Sequence, residues 1–67
     1  MTNKYEQEIN QLMELQTKVG DLLATLDNHA GITDSIREKK LLRSGVHFLR
    51  YVYDNLSWTI SVLEQLQ

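Results

Sequence analysis

Basic side chains are concentrated in one stretch of the sequence, and they are the residues best suited to binding an anion. Five of the seven Lys and Arg residues lie between Arg37 and Arg50. At helical spacing, one side of this stretch carries Lys39, Lys40, Arg43, His47 and Arg50. Such a stripe could bind the phosphates of a nucleic acid. The alternative is a solvated stripe that pairs with acidic residues, and the neighbouring Glu38 and Asp54 favour it.

The remaining polar residues form no catalytic or metal-binding motif. His29 and His47 stand alone, without further ligands at the spacing of a metal site. The sequence has no cysteine, no glycine-rich phosphate loop, and no nucleophile with a base at a readable spacing. We therefore expect no enzyme activity, no metal, no cofactor and no small-molecule substrate. The formal net charge of −2 by itself favours neither nucleic acid nor membrane.

The second half of the chain predicts a long helix, from about residue 35 to 66, with two apolar rows. The first row consists of Leu42, Val46, Leu49, Val52, Leu56, Ile60 and Leu63. The second row lies about 100° away and consists of Leu41, Phe48, Tyr51, Trp58 and Val62, with Ser44 and Asn55 in its gaps. An ordinary surface helix has one apolar stripe, so a helix with two rows is expected to be covered on two sides.

The first half predicts a second helix, from about residue 3 to 27, with a loop over about 28–34. Thr2 or Asn3 could cap its start, and Asn28 and Gly31 could end it in the left-handed conformation. Its apolar residues alternate at three and four, as in a coiled-coil seam: Leu12, Leu15, Val19, Leu22 and Leu26. Ser35 and Glu38 form a capping box for the following helix. The alternative of a third helix, with a break at Ser44–Gly45, stays open.

These patterns predict an all-α protein, a two-helix antiparallel hairpin of the coiled-coil type over residues 1–67 as one domain. A short loop between two long helices makes them antiparallel neighbours. The first helix has one apolar stripe and can cover only one row of the second. The second row is therefore predicted to bind another protein chain and to complete a helical bundle. Its predicted interface residues are Leu41, Phe48, Tyr51, Trp58 and Val62.

The expected function is that of a small protein–protein interaction module, such as an adaptor, a co-chaperone or an inhibitor of a larger protein. Its partner would be another protein chain, in a homodimer or a hetero-complex. The alternative is a small nucleic-acid-binding regulator that uses the basic stripe. The start of the chain lacks the pattern of a signal peptide, and charged residues such as Arg43, Arg50 and Asp54 interrupt the longest apolar run. We therefore expect a cytoplasmic protein without a membrane span.

In architecture, a hairpin of this length resembles several unrelated families. They are the small co-chaperones that hold type III secretion needle subunits, the smallest subunits of the fungal outer-kinetochore ring, a plasmid RNA-binding regulator and small phage proteins that block host factors. The segment from Tyr5 to Gln16 is also similar to the Leu-Gln-rich helix of the kinetochore subunits. Each resemblance implies a hairpin that binds other macromolecules. Fold similarity does not give function, so we assign the chain to none of these families.

Overall fold

The chain folds as an antiparallel pair of helices. The computed structural model describes residues 3–66, with helix α1 over Glu6–Ile32 and helix α2 over Ile36–Gln65. The molecule is rod-shaped, with extents of 53 × 14 × 10 Å. The prediction of an all-α helical hairpin is confirmed.

Helix α1 begins later and ends later than the sequence predicted. It runs five residues beyond the predicted end and so includes the first five residues of the predicted loop over 28–34. Ala30 explains the extension. It is completely buried, and the burial of its side chain stabilises one more helical turn at this end of α1. Gly31 does not take the left-handed conformation, since no described residue has a positive φ. The turn between the helices is therefore only Thr33–Ser35.

Asn3 ties the start of α1 to the end of α2. Its side-chain oxygen accepts a hydrogen bond from the backbone N–H of Tyr5 at 2.7 Å. Its amide nitrogen donates to the carbonyl of Leu63 at 3.3 Å and to that of Glu64 at 3.5 Å. The last carbonyls of a helix lack their usual partners within the helix. The Leu63 carbonyl also accepts from the Leu66 N–H at 3.1 Å, so Asn3 adds a second donor there and provides a donor for the Glu64 carbonyl. Asn3 thus lies just before α1 and not at its N-cap, which is Tyr5; the other predicted cap, Thr2, lies outside the described residues.

Helix α2 begins as the sequence predicted. Ser35 is its N-cap, and the Ser35 hydroxyl accepts a hydrogen bond from the backbone N–H of Glu38 at 3.1 Å. This is the serine half of the predicted capping box. The helix then continues without interruption through Ser44 and Gly45. Three-helix architecture is therefore excluded for the described chain.

The hairpin's core is a narrow line of side chains between the helices. The buried residues are Ile9, Val19, Ala30, Val46 and Ile60. The half-buried leucines beside them are Leu12, Leu23, Leu26, Leu42, Leu49, Leu56 and Leu63. On α2 this line matches the first predicted row, apart from Val52, which is exposed. On α1 the predicted seam is only partly right, because Leu15 and Leu22 are 47% and 53% exposed.

Two residues that are not large and apolar explain the difference on α1. Gln16 is half-buried against α2, where its amide nitrogen donates to the Tyr53 carbonyl at 3.3 Å and to the Ser57 hydroxyl. One turn on, Gly20 lies under the Tyr53 ring. These contacts rotate α1 so that Gln16 and Gly20 occupy the seam, and Leu15 and Leu22 are turned away from it.

Candidate interaction surfaces

The second apolar row of α2 lies outside the hairpin's core. We refer to Leu41, Phe48, Tyr51, Trp58 and Val62 as the aromatic row. Leu41, Phe48, Tyr51 and Trp58 are 63%, 69%, 67% and 69% exposed, and Val62 is 36% exposed. Helix α1 does not cover these side chains, which agrees with the argument that it has only one apolar stripe. Their role as an interface stays a prediction.

The direction of the aromatic row follows from the contacts of Tyr53. The Tyr53 ring lies over Gly20, and its carbonyl accepts the hydrogen bond from Gln16, so this part of α2 faces α1. Tyr51 is two residues earlier and Trp58 five residues later, which places each about 140–160° around the helix from Tyr53. Both aromatic side chains therefore lie on the back of α2. The contacts of Tyr53 with Gln16 and Gly20 therefore set the rotation of α2 that leaves the aromatic row facing away from α1.

Leu15 and Leu22 of the predicted α1 seam and Val52 of the first α2 row lie outside the core and extend this apolar surface. Leu15 and Leu22 are rotated by about 65–85° from the direction in which α1 faces α2. On α2, Leu41 and Val52 are rotated by about 80–100° in the same sense. Equal rotations in two antiparallel helices lead to the same side of the hairpin. This side is therefore apolar on both helices and continuous with the aromatic row.

The opposite side of the hairpin carries the basic residues. A shallow cleft of about 280 Å³ is lined by Asp27 of α1 and by Arg43, Val46, His47 and Arg50 of α2. The structure thus brings together Arg43, His47 and Arg50 of the predicted basic stripe. Lys39 is half-buried and Lys40 is exposed, and neither lines the cleft. Asp27 lines the same cleft as Arg43, His47 and Arg50, so the cleft is not purely basic.

His47 joins the two surfaces. Its ring packs edge-on against the ring of Phe48, with centroids 6.1 Å apart and planes inclined by 70°. Edge-to-face geometry is a favourable arrangement of aromatic rings. The border between the basic cleft and the aromatic row therefore lies between His47 and Phe48.

The part of the chain that the structure describes has neither a metal-binding cluster nor a membrane-spanning helix. Within residues 3–66, no three His, Cys, Asp or Glu side chains come together as metal ligands. Neither α1 nor α2 is long and apolar enough to cross a membrane. Comparison with protein-family models, curated proteins and solved structures found no match to this chain.

Proposed function

We propose that this chain is a protein–protein interaction module that acts by helix packing, without catalysis. The observation that carries the proposal is the exposure of Phe48, Tyr51 and Trp58, which are each about two-thirds exposed on one helix face. Aromatic residues, Trp and Tyr above all, are the commonest anchors of protein interfaces. The proposal covers adaptors, co-chaperones and inhibitors, which share this mode of contact.

The shape of the molecule supports the proposal. A compact monomer of 7.8 kDa has an accessible surface of about 4,400 Å². The surface of this chain is 5467 Å². Its radius of gyration is 15.5 Å, compared with about 11 Å for a compact chain of this length. The hairpin therefore carries an excess of surface that a partner would cover.

The aromatic row can supply much of the free energy of an association. At about two-thirds exposure, its three aromatic side chains offer roughly 300–500 Å² for burial. At 25 cal/mol per Å², this area corresponds to a gross gain of roughly 8–12 kcal/mol. Association costs about 4–15 kcal/mol in lost motion, so the aromatic residues alone would about balance it. The neighbouring Leu15, Leu22, Leu41 and Val52 would provide the surplus that appears as affinity.

The alternative of nucleic-acid binding has weaker support. The cleft offers Arg43 and Arg50 for phosphate contacts, but the Asp27 carboxylate in the same cleft would repel a phosphate. Few cationic groups are therefore available to release counterions, which is the main source of affinity for nucleic acid.

A capture experiment tests the proposal. The chain is immobilised and exposed to an extract of its native cell at salt concentrations from about 0.1 to 0.5 M, and the retained proteins are identified by mass. Two matched double variants of α2 serve as comparison: Phe48→Ser with Trp58→Ser on the aromatic row, and Arg43→Ser with Arg50→Ser in the cleft. Serine has about the helix propensity of Phe and Trp and a lower one than Arg, so a loss of retention confined to the aromatic-row variant could not come from a weakened helix.

We expect that retention persists as the salt concentration rises, since apolar contacts are screened little, and that only the aromatic-row variant loses it. The opposite pattern would refute the proposal. If nucleic acid is retained, retention falls steeply with salt, and the cleft variant is the one that loses it, the chain acts through its basic stripe.

A further inference from the structure

The aromatic row has the spacing of a coiled-coil seam. With the two polar residues in its gaps, its positions alternate at three and four: Leu41, Ser44, Phe48, Tyr51, Asn55, Trp58 and Val62. This is the spacing at which two helices pack knobs into holes along their whole length. A matching partner would be a helix with the same spacing and with polar groups at the levels of Ser44 and Asn55.

A second copy of α2 in the antiparallel direction meets this requirement. When the two helices cross with their centre between Leu49 and Arg50, the three inner layers join side chains of like character, and only the outermost layer is mixed, with Val62 opposite the long side chain of Arg37. The inner layers, each formed twice, are Leu41 with Trp58, Ser44 with Asn55, and Phe48 with Tyr51. The only polar positions of the seam thus face each other and can form a hydrogen bond, and the aromatic residues meet aromatic or aliphatic ones. This centre also lies within one residue of the middle of α2, which spans Ile36–Gln65, so nearly the whole helix is in contact.

The charges of α2 favour the antiparallel direction over the parallel one. The first half of the helix carries five Lys and Arg residues between Arg37 and Arg50, with Glu38 as its only acid. The second half carries Asp54 and Glu64 and no Lys or Arg. A parallel pair would place the two basic halves side by side, whereas an antiparallel pair places each beside an acidic half. At the edge of the seam, His47 then lies near Asp54 of the second copy.

We infer that the partner on the aromatic row is a second copy of this chain, docked antiparallel along α2 so that the two α2 helices pack together between the two α1 helices. The inference rests on the proposed function and names its partner. A stable interface of standard size needs about 800 Å² from each partner. The three exposed aromatic side chains offer roughly 300–500 Å² of this, and the rest would come from Leu41, Val62 and the side chains that flank the seam along the length of α2. The contact is isologous, as in most homodimers.

Cysteine cross-linking tests both the partner and its direction, because the natural chain has no cysteine. Two single variants, Ser44→Cys and Asn55→Cys, are mixed and oxidised with glutathione, and the disulfides are identified by peptide mass. The inference places residue 44 of one copy against residue 55 of the other. Two copies of residue 44 would be about 16 Å apart along the axis, which is too far for a disulfide. Thr25→Cys, on the exposed back of α1, gives the background from random collisions.

We expect the mixed disulfide in large excess over both symmetric ones and over the Thr25→Cys background. Symmetric disulfides of residue 44 or of residue 55 would show a parallel pair and overturn the inference. Sedimentation equilibrium of the natural chain gives the independent measurement, with an expected dimer at tens of micromolar. A folded monomer at that concentration would overturn the second-copy partner. The proposed function would still stand if the immobilised chain retained another protein through Phe48 and Trp58, and it would fall if that retention also failed.

Discussion

Replacement of Gly20 by alanine tests the contact that sets the rotation of the two helices. Gly20 lies inside α1 and has an ordinary helical φ, so alanine should gain about 0.5–1 kcal/mol from its greater helix propensity. The new Cβ atom would lie 3.2 Å from Cε2 and 3.8 Å from Cδ2 of Tyr53. The Tyr53 ring must therefore move by a few tenths of an ångström. It is 37% exposed and can tilt towards solvent, at a cost of about 0.5–1.5 kcal/mol for leaving its rotamer minimum.

The gain and the cost nearly cancel, so we expect the free energy of unfolding of Gly20→Ala to stay within about 0.5 kcal/mol of the natural chain. Gly31→Ala is the matched control, because its Cβ would have no atom within 4 Å. It should gain the full propensity term and raise the melting temperature by about 2–8 °C.

Thermal and urea unfolding, followed by circular dichroism at low micromolar concentration, measure both changes. An equal stabilisation by Gly20→Ala and Gly31→Ala would show that the Tyr53 ring does not lie on Gly20. The rotation of α2, and with it the outward direction of Phe48 and Trp58, would then be wrong.

Three further substitutions separate the hairpin's own stability from its association. Ser35→Ala removes the cap on the Glu38 N–H and should cost about 1 kcal/mol of unfolding free energy. Ser61→Ala, at an exposed interior position of α2, should instead stabilise by a few tenths of a kcal/mol, roughly its gain in helix propensity, so equal effects of the two changes would contradict the cap. Ile60→Ala removes a buried side chain and should cost about 2–5 kcal/mol, seen as loss of helical circular dichroism. Trp58→Ala should retain its helix content and weaken association by about 2 kcal/mol or more, measured by sedimentation; unfolding of the isolated chain by this change would place Trp58 in the core instead.

The helical hairpin could be predicted because its signals are local. Apolar spacing, the absence of proline and the Ser35–Glu38 pair all lie within a few residues of the feature they specify. The end of α1 could not be predicted in the same way. Asn28 and Gly31 are compatible with a turn and with a helix, and the outcome depends on the burial of Ala30 against α2.

The seam of α1 shows a second limit of apolar patterns. Leu12, Val19 and Leu26 belong equally to the predicted seam and to the observed one, so the leucine spacing alone does not choose between them. The choice is made by Gln16 and Gly20, whose contacts with α2 join residues that are far apart in the sequence. A pattern of apolar residues includes neither a polar residue such as Gln16 nor a residue without a side chain such as Gly20. As a result, Leu15 and Leu22 were assigned to the core, and the apolar surface was predicted on α2 alone.

The accessibility of Trp58 tests the central claim, that another chain docks on the aromatic row. Trp58 is the only tryptophan of the chain and is 69% exposed in the hairpin, so its fluorescence reports on this surface alone. The measurement is the quenching of Trp58 fluorescence by acrylamide in two states of the chain. The dissociated state is obtained by dilution. The assembled state is obtained at high concentration, or by adding a protein that the immobilised chain retains. We predict free quenching and red-shifted emission after dilution, and a blue shift with several-fold weaker quenching in the assembly. Identical emission and quenching in the two states would contradict the claim.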